Sequence, residues 1–207
     1  HLKSYVFAHY ESLYGTKAAI EVGVAAIIHG EELDKDCIKE MVRKEITLVP
    51  TLSLTLDWYV KYGGKPPKRK RKVPVNLKDE IAREREVVKT NFQEAWGEGV
   101  SIVMGSDTFC NEISPYGQFS LQEIKAMVEC GLTPYEALEA ATFKAANLIF
   151  PEDKIGLIKE EYSADFVLLK KDPTKDITVL EKKNILAVIK EGKLQAGNIK
   201  PFFMMQY

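Results

Sequence analysis

The chain is poor in several features, and each shortage excludes a class of protein. Its 207 residues include only three cysteines, widely spaced and without a C-x-x-C pair, which argues against a disulfide scaffold or a structural zinc knuckle. The formal net charge is −1, so no long-range field attracts nucleic acid or an anionic membrane. No apolar run approaches the roughly 20 residues that span a bilayer. These absences favour a globular protein of the reducing cytoplasm that binds neither nucleic acid nor membrane.

Phosphate-binding loops are also missing. No G-x-G-x-x-G turn follows a predicted strand, which argues against a flavodoxin-like or dinucleotide-binding domain. The one basic run, KPPKRKRK at 65–72, falls in a long connection over 53–76 and contains no aromatic residue. It favours a solvated loop, with contact to an acidic substrate or a targeting patch as the alternatives.

Histidine is scarce, yet its placement is informative. Of three histidines, His9 and His29 each close a short apolar run that predicts a buried strand, and Asp107 closes a third such run. The C-terminal ends of parallel strands face one side of a sheet or barrel, so these three side chains are expected to converge. A single histidine at a strand end is more often a hydrogen-bonded structural residue. Only the joint placement therefore indicates a reaction centre.

Strand-like and helix-like segments alternate from residue 4 to about residue 107, which predicts right-handed βαβ units and a parallel sheet. After residue 150 the helical period disappears, and the short apolar runs DFVLL and ILAVIKEGKL predict antiparallel strands. We therefore predict a domain boundary near residue 151. The sequence predicts helices at 13–22, 35–44, around 77–96, 120–130 and 134–149.

Four segments, in order, resemble the metal-dependent amidohydrolase superfamily, in its imidazolonepropionase-like and Xaa-Pro-dipeptidase-like branch. They cover nearly the whole chain and comprise residues 8–52, AWGEGVSIVMGSDT at 95–108, GLTPYEALEAATFKAANLI at 131–149 and ADFVLLKKDPTKDI at 164–177. The resemblance implies an α/β fold, a (β/α)8 TIM barrel with a small β-sandwich. It further implies that residues 1–150 form the C-terminal half of the barrel, strands five to eight, and residues 151–207 the C-terminal portion of the sandwich.

The resemblance also implies a metal centre. By position, His9 matches the metal ligand that ends strand five, His29 the histidine that ends strand six, and Asp107 the aspartate that ends strand eight. Asp107 would be a ligand and a proton shuttle, whereas His29 would either bind metal or contact the substrate. The implied cofactor is one or two divalent ions, zinc first, with iron or manganese as alternatives. The implied activity is hydrolysis of a C–N bond in a small amide, cyclic amide or dipeptide.

Several family features are missing. No His-x-His pair occurs, only eight residues precede His9, and Ile28 stands where the branch often has glutamate. The segment KEEYS at 159–163 replaces a glycine-rich turn, and the chain starts with His1 rather than methionine, which predicts that translation begins upstream. We expect a missing N-terminal half, or a homo-oligomer, to cover the edges of the half barrel, and the isolated chain to be inactive. A non-catalytic fragment that serves as a binding or assembly module is the alternative.

Overall fold

A computed structural model describes residues 5–54, 77–107 and 117–198. These residues fall into two compact units that divide between Gly131 and Leu132. His1, the basic run at 65–72 and most of the connection that contains it lie outside the described residues. The segment of the helix predicted over 134–149 belongs to the second unit, and the domain boundary near residue 151 stays a prediction.

The first unit contains a parallel sheet of three strands in the order β1-β2-β3. Its strands are β1 (Phe7–Tyr10), β2 (Ala26–His29) and β3 (Thr47–Val49), joined by helices α1 (Leu13–Val22) and α2 (Lys35–Arg43). The longer helices α3 (Leu77–Gly97) and α4 (Gln118–Glu129) complete the unit. In the sheet, His9 pairs with Ile28 and Ile28 with Val49, so the three strands end at nearly the same level. This arrangement confirms the predicted parallel sheet.

Local sequence signals explain where the first helices begin and end. The Ser12 side chain accepts a hydrogen bond from the Gly15 amide at the start of α1, and Asp34 accepts one from the Cys37 amide at the start of α2. Gly23 ends α1 with a left-handed φ of 76°, a conformation that glycine adopts without a steric penalty.

The core of this unit lies around β2 and β3. Ala26 and Ile27 of β2 are fully buried, and they share the core with large apolar side chains from β3 and the helices, among them Ile38, Met41, Leu48, Phe92 and Met127. In contrast, β1 is an edge strand among the described residues, and Phe7 and Tyr10 remain exposed. Burial of apolar side chains therefore stabilises one side of the sheet much more than the other.

The apolar run that ends at Asp107 predicts a strand over 100–104, and the paired segment in the structure is shorter. Only Ile102 pairs with a neighbour, in an isolated parallel bridge to Leu48. The Leu48 amide donates to the Ser101 carbonyl at 2.9 Å, and the Val103 amide donates to the Leu48 carbonyl at 3.0 Å. These two bonds still fix the segment beside β3, in the position expected of a fourth parallel strand.

The second unit contains an antiparallel sheet in the order β4-β5-β6, as the sequence predicts. Its elements are α5 (Pro134–Ala141), α6 (Phe143–Ile149), β4 (Phe166–Leu169), β5 (Ile185–Lys190) and β6 (Lys193–Gly197), with short 3-10 turns at Ile177–Val179 and Lys182–Asn184. Among the helices of the described ranges, none is long and apolar enough to cross a membrane. The cytoplasmic location stays a prediction.

Two details of this unit differ from the sequence prediction. The single helix expected over 134–149 is broken at Thr142, whose φ of −126° and ψ of −91° are not helical and whose hydroxyl donates to the Leu138 carbonyl at 2.7 Å. The run ILAVIKEGKL forms two strands rather than one. Glu191 and Gly192, both at positive φ, form the tight turn of the hairpin between β5 and β6.

Candidate metal centre

The three side chains singled out by the sequence meet at the C-terminal edge of the parallel sheet. His9 lies in β1, His29 is the last residue of β2, and Asp107 follows the segment that pairs with β3. One potential ligand atom from each lies within 4.8 Å of the other two. The two Nε2 atoms are 2.8 Å apart, and His29 Nε2 lies 3.6 Å from Asp107 Oδ2. The expected convergence is found, and the role of these residues as ligands stays a prediction.

The backbone at this edge is locally strained. His29 has a φ of 73° and Asp107 a φ of 43°, both in the left-handed region that non-glycine residues rarely adopt. Each such residue costs about 1–3 kcal/mol and persists only where the surrounding structure enforces it, and such residues cluster at functional sites. Gly30 continues the left-handed turn at a φ of 63°, so the chain leaves β2 sharply after His29.

The His29 ring is held at both nitrogens. Its Nδ1 shares a hydrogen bond of 2.6 Å with Thr51 Oγ1, and its Nε2 shares one of 2.8 Å with His9 Nε2. The two imidazole rings meet edge to face, with centroids 4.1 Å apart. The sequence did not point to Thr51, because a threonine after a strand is common and its partner is set by pairing between β2 and β3.

Burial lowers the pKa of His29, and the neighbouring His9 lowers it further, whereas Asp107 and Glu11 oppose the shift. Only 6% of the His29 side chain is exposed, so water stabilises its charged form poorly. The ring is therefore neutral at neutral pH and retains a nitrogen lone pair. That is the state in which a histidine binds a metal ion.

The donor set fits a divalent cation. Two imidazole nitrogens and a carboxylate oxygen are ligands that zinc, iron and manganese all accept. The Nε2 atoms of His9 and His29 face each other at 2.8 Å, and Asp107 Oδ2 lies beside them. The Asp107 side chain is 43% exposed, so this side of the cluster is accessible to solvent.

A second carboxylate lies behind this edge, and the sequence did not point to it. Glu123 in α4 is fully buried, and its two oxygens accept the amides of Leu52 at 2.7 Å and of Ser53 at 2.6 Å. A signal for it exists in the sequence, because Glu123 lies midway between Phe119 and Met127 on the stripe of buried side chains along α4. An acidic residue inside an apolar stripe indicates a buried carboxylate with partners of its own.

Burial raises the pKa of Glu123 to about 7 from 4.5, although the amides of Ser53 and Leu52 favour its charged form. A raised folded-state pKa means that this group contributes stability below about pH 4.5 and that the contribution is lost as the pH rises through about 7. The full loss in the free energy of unfolding amounts to roughly 3 kcal/mol. We expect the free energy of unfolding to fall between pH 4 and pH 8 by roughly that much more in the parent than in Glu123→Gln.

Urea denaturation of both proteins over this pH range measures the difference, and other titrating groups cancel because both proteins share them. If the difference in free energy of unfolding between the parent and Glu123→Gln stayed constant with pH, the raised pKa of Glu123 would be contradicted.

Known proteins resemble this chain in both sequence and fold. The model of the amidohydrolase family matches residues 1–195. An ochratoxinase of Aspergillus niger is 31% identical over 197 residues, which are 93% of this chain and 38% of that protein. An imidazolonepropionase of Kosmotoga olearia is 30% identical over 122 residues, 57% of this chain and 27% of that protein.

The fold has similar relatives among solved structures. The crystal structure of a Xaa-Pro dipeptidase with methionine bound in the active site superposes with a TM-score of 0.75 and 30% identity. The match covers 93% of this chain and 45% of that one. The chain therefore spans less than half the length of each of these three relatives.

Proposed function

This chain belongs to the amidohydrolase family, and from that premise we propose that it forms part of a metal-dependent hydrolase that cleaves a C–N bond in a small molecule. The observation that carries the proposal is the convergence of His9, His29 and Asp107 within 4.8 Å at one edge of the parallel sheet. The proposed substrate is an amide, a cyclic amide or a dipeptide. The likeness to an ochratoxinase and to a Xaa-Pro dipeptidase supports this class.

The proposed setting of the site is half of a (β/α)8 barrel. Three parallel strands with intervening helices, followed by the bridged segment at Ile102, support an assignment to barrel strands five to eight. The antiparallel sheet supports an assignment to the C-terminal portion of a small β-sandwich. Because this chain spans 38% of the ochratoxinase, the proposed active enzyme requires the N-terminal half of the barrel, or a second copy of the chain in its place.

His9 Nε2, His29 Nε2 and the Asp107 carboxylate would hold the proposed cofactor, one or two divalent ions, with zinc first and iron or manganese as alternatives. When bound, such an ion lowers the pKa of water and polarises the scissile carbonyl. The neutral state of His29 leaves its nitrogen available either to this ion or to the substrate. These two roles of His29 remain the alternatives.

Asp107 is the proposed proton shuttle. Its partly exposed carboxylate lies 3.6 Å from His29 Nε2, so it can face both the ion and an incoming substrate. In the proposed reaction, Asp107 takes a proton from the attacking water while the new C–O bond forms. It then returns that proton to the leaving nitrogen as the C–N bond breaks, so the carboxylate is regenerated at the end of the cycle.

Metal analysis tests the proposal. The chain is combined with the N-terminal half, stripped with a chelator, reloaded with zinc, iron or manganese, desalted, and measured for bound metal. Hydrolysis of a panel of dipeptides and cyclic amides is measured on the same samples, with the N-terminal half supplied. We expect stoichiometric metal in the parent and none in His9→Ala, with His1→Ala as the control because it makes the same chemical change. A parent that binds no metal would instead favour a non-catalytic binding or assembly module.

A further inference from the structure

We propose that Glu123 is a positioning residue, which fixes the ring of His29 through the turn that follows β3. This inference rests on the proposed function, because it concerns how the same metal centre is kept in shape. Three successive contacts carry it: from Glu123 to the backbone of the turn, from the turn to Thr51, and from Thr51 to His29.

The first contact is a carboxylate cap. Residues Leu52–Leu54 form a single 3-10 turn, whose first amides have no carbonyl partner within the turn. Glu123 accepts the amides of Leu52 and Ser53, one on each oxygen, from a helix about 70 residues further along the chain. The carboxylate therefore joins α4 directly to the end of β3.

The second contact is the backbone of Thr51. This residue has a φ of 48°, which is unfavourable for a β-branched side chain, and it is buried. Such a conformation costs about 1–3 kcal/mol and persists only where its surroundings enforce it. The two amides that Glu123 binds belong to the next two residues, so Glu123 holds the chain where Thr51 must leave the strand.

The third contact joins Thr51 to His29 of the metal centre. Thr51 Oγ1 lies 2.6 Å from His29 Nδ1, so the hydroxyl sets the rotation of the ring. When Nδ1–H donates to this hydroxyl, Nε2 is left unprotonated and faces His9 and Asp107. A group that fixes Thr51 thereby fixes the orientation of the His29 ring and, in this tautomer, the direction of its Nε2 lone pair.

The energetics of Glu123 indicate that it contributes more to the geometry of the turn after β3 than to the stability of the fold. Burial raises the pKa of Glu123 to about 7, so the ionised side chain weakens the folded state at neutral pH. An apolar side chain of similar volume would avoid this penalty, but it would leave the buried amides of Leu52 and Ser53 without an acceptor. What the carboxylate adds is a pair of strong acceptors at two defined backbone positions.

Histidine NMR tests the first consequence in the metal-free chain at pH 8, where Glu123 is ionised. With only three histidines, the ring signals in a proton–nitrogen correlation spectrum can be assigned by single substitutions. We expect His29 in the parent to hold the tautomer protonated at Nδ1, and Glu123→Gln to shift it toward a mixture of tautomers. Met41→Ala, a core truncation in α2, provides the control for a general loss of stability and should leave the tautomer unchanged.

A double-mutant cycle tests the route through Thr51. Cobalt(II) affinity, followed by the visible spectrum, is expected to fall about 10- to 100-fold in Glu123→Gln and in Thr51→Ala. The double variant should bind no more weakly than Thr51→Ala, because both changes break one chain of contacts. Thr51→Ser keeps the hydroxyl and should retain the parent affinity. Additive losses, or a parent His29 without a dominant tautomer, would overturn the proposal.

Amide exchange in the unaltered chain tests the proposal even if Glu123→Gln does not fold. The amides of Leu52 and Ser53 should be protected from hydrogen exchange as strongly as those of β2, and unprotected amides would overturn the proposal. The NMR and exchange readouts use neither metal nor substrate. Failure of the positioning role is therefore distinguishable from failure of the proposed hydrolase activity, which is read from metal content and turnover.

Discussion

Replacing Asp107 with asparagine is expected to lower kcat of the intact enzyme by on the order of 10²- to 10⁴-fold. Asparagine preserves the size of the side chain and one oxygen beside His29, but it cannot accept the proton of the attacking water or return it to the leaving nitrogen. The measurement is kcat on an amide substrate at saturating zinc. Saturation separates the loss of proton transfer from any weaker binding of the ion.

The control for this prediction is Asp36→Asn. Asp36 is an exposed acid in the first turn of α2, so the same chemical change there should leave kcat at the parent value. If Asp107→Asn also kept kcat within a few-fold of the parent at full metal occupancy, Asp107 would not be the proton shuttle.

The part of the site that the sequence predicts is the part that local patterns encode. An apolar run marks each strand, and a polar residue at its end marks the C-terminal edge of a parallel sheet. Topology then brings such ends together, which is why His9, His29 and Asp107 could be grouped before their distances were known.

Thr51 and Glu123 could not be found in this way. Their roles depend on a hydrogen bond between β2 and the turn after β3 and on two bonds between that turn and α4, across long stretches of sequence. A glutamate in a helix has the same local pattern whether it faces water or the core. Only its place on the buried stripe distinguishes it, and that place is clear once the helix has been oriented.

The fold shows the same division between local and long-range information. The helix limits at Asp34 and Gly23 are encoded locally, because the capping bonds join residues a few positions apart. The break at Thr142 was missed because Thr142 lies within a periodic apolar pattern that continues on both sides. The shortened strand around Ile102 was missed because strand length depends on partners, and Leu48 is its one partner among the described residues.

The isolated chain is expected to self-associate through the edge that begins with β1. Among the described residues, β1 has a single neighbour, β2, and large apolar side chains on and beside it are exposed, namely Tyr5, Val6, Phe7 and Tyr10. An open strand edge with apolar side chains readily pairs with another chain. Size-exclusion chromatography with light scattering should therefore show a dimer or a larger species.

The substitution Val6→Lys should weaken this association at least about 10-fold, because a lysine at an edge strand opposes pairing. Val22→Lys is the matched control. Val22 is 79% exposed at the end of α1, so the same change there adds the same charge on a different surface. Equal effects of the two substitutions, or a parent that is monomeric at every concentration tested, would contradict the use of this edge.

The largest gain of function is expected when the N-terminal half of the barrel is supplied. By itself the chain offers three potential ligands among the described residues and leaves β1 uncovered, so the metal ion should bind weakly and turnover should be absent. Co-expression with the upstream half should remove self-association and raise amide hydrolysis at least about 100-fold above the uncatalysed background. Because both effects use the same edge, Val6→Lys should reduce complementation while Val22→Lys preserves it. Full turnover by the 207-residue chain alone would show that the three side chains suffice.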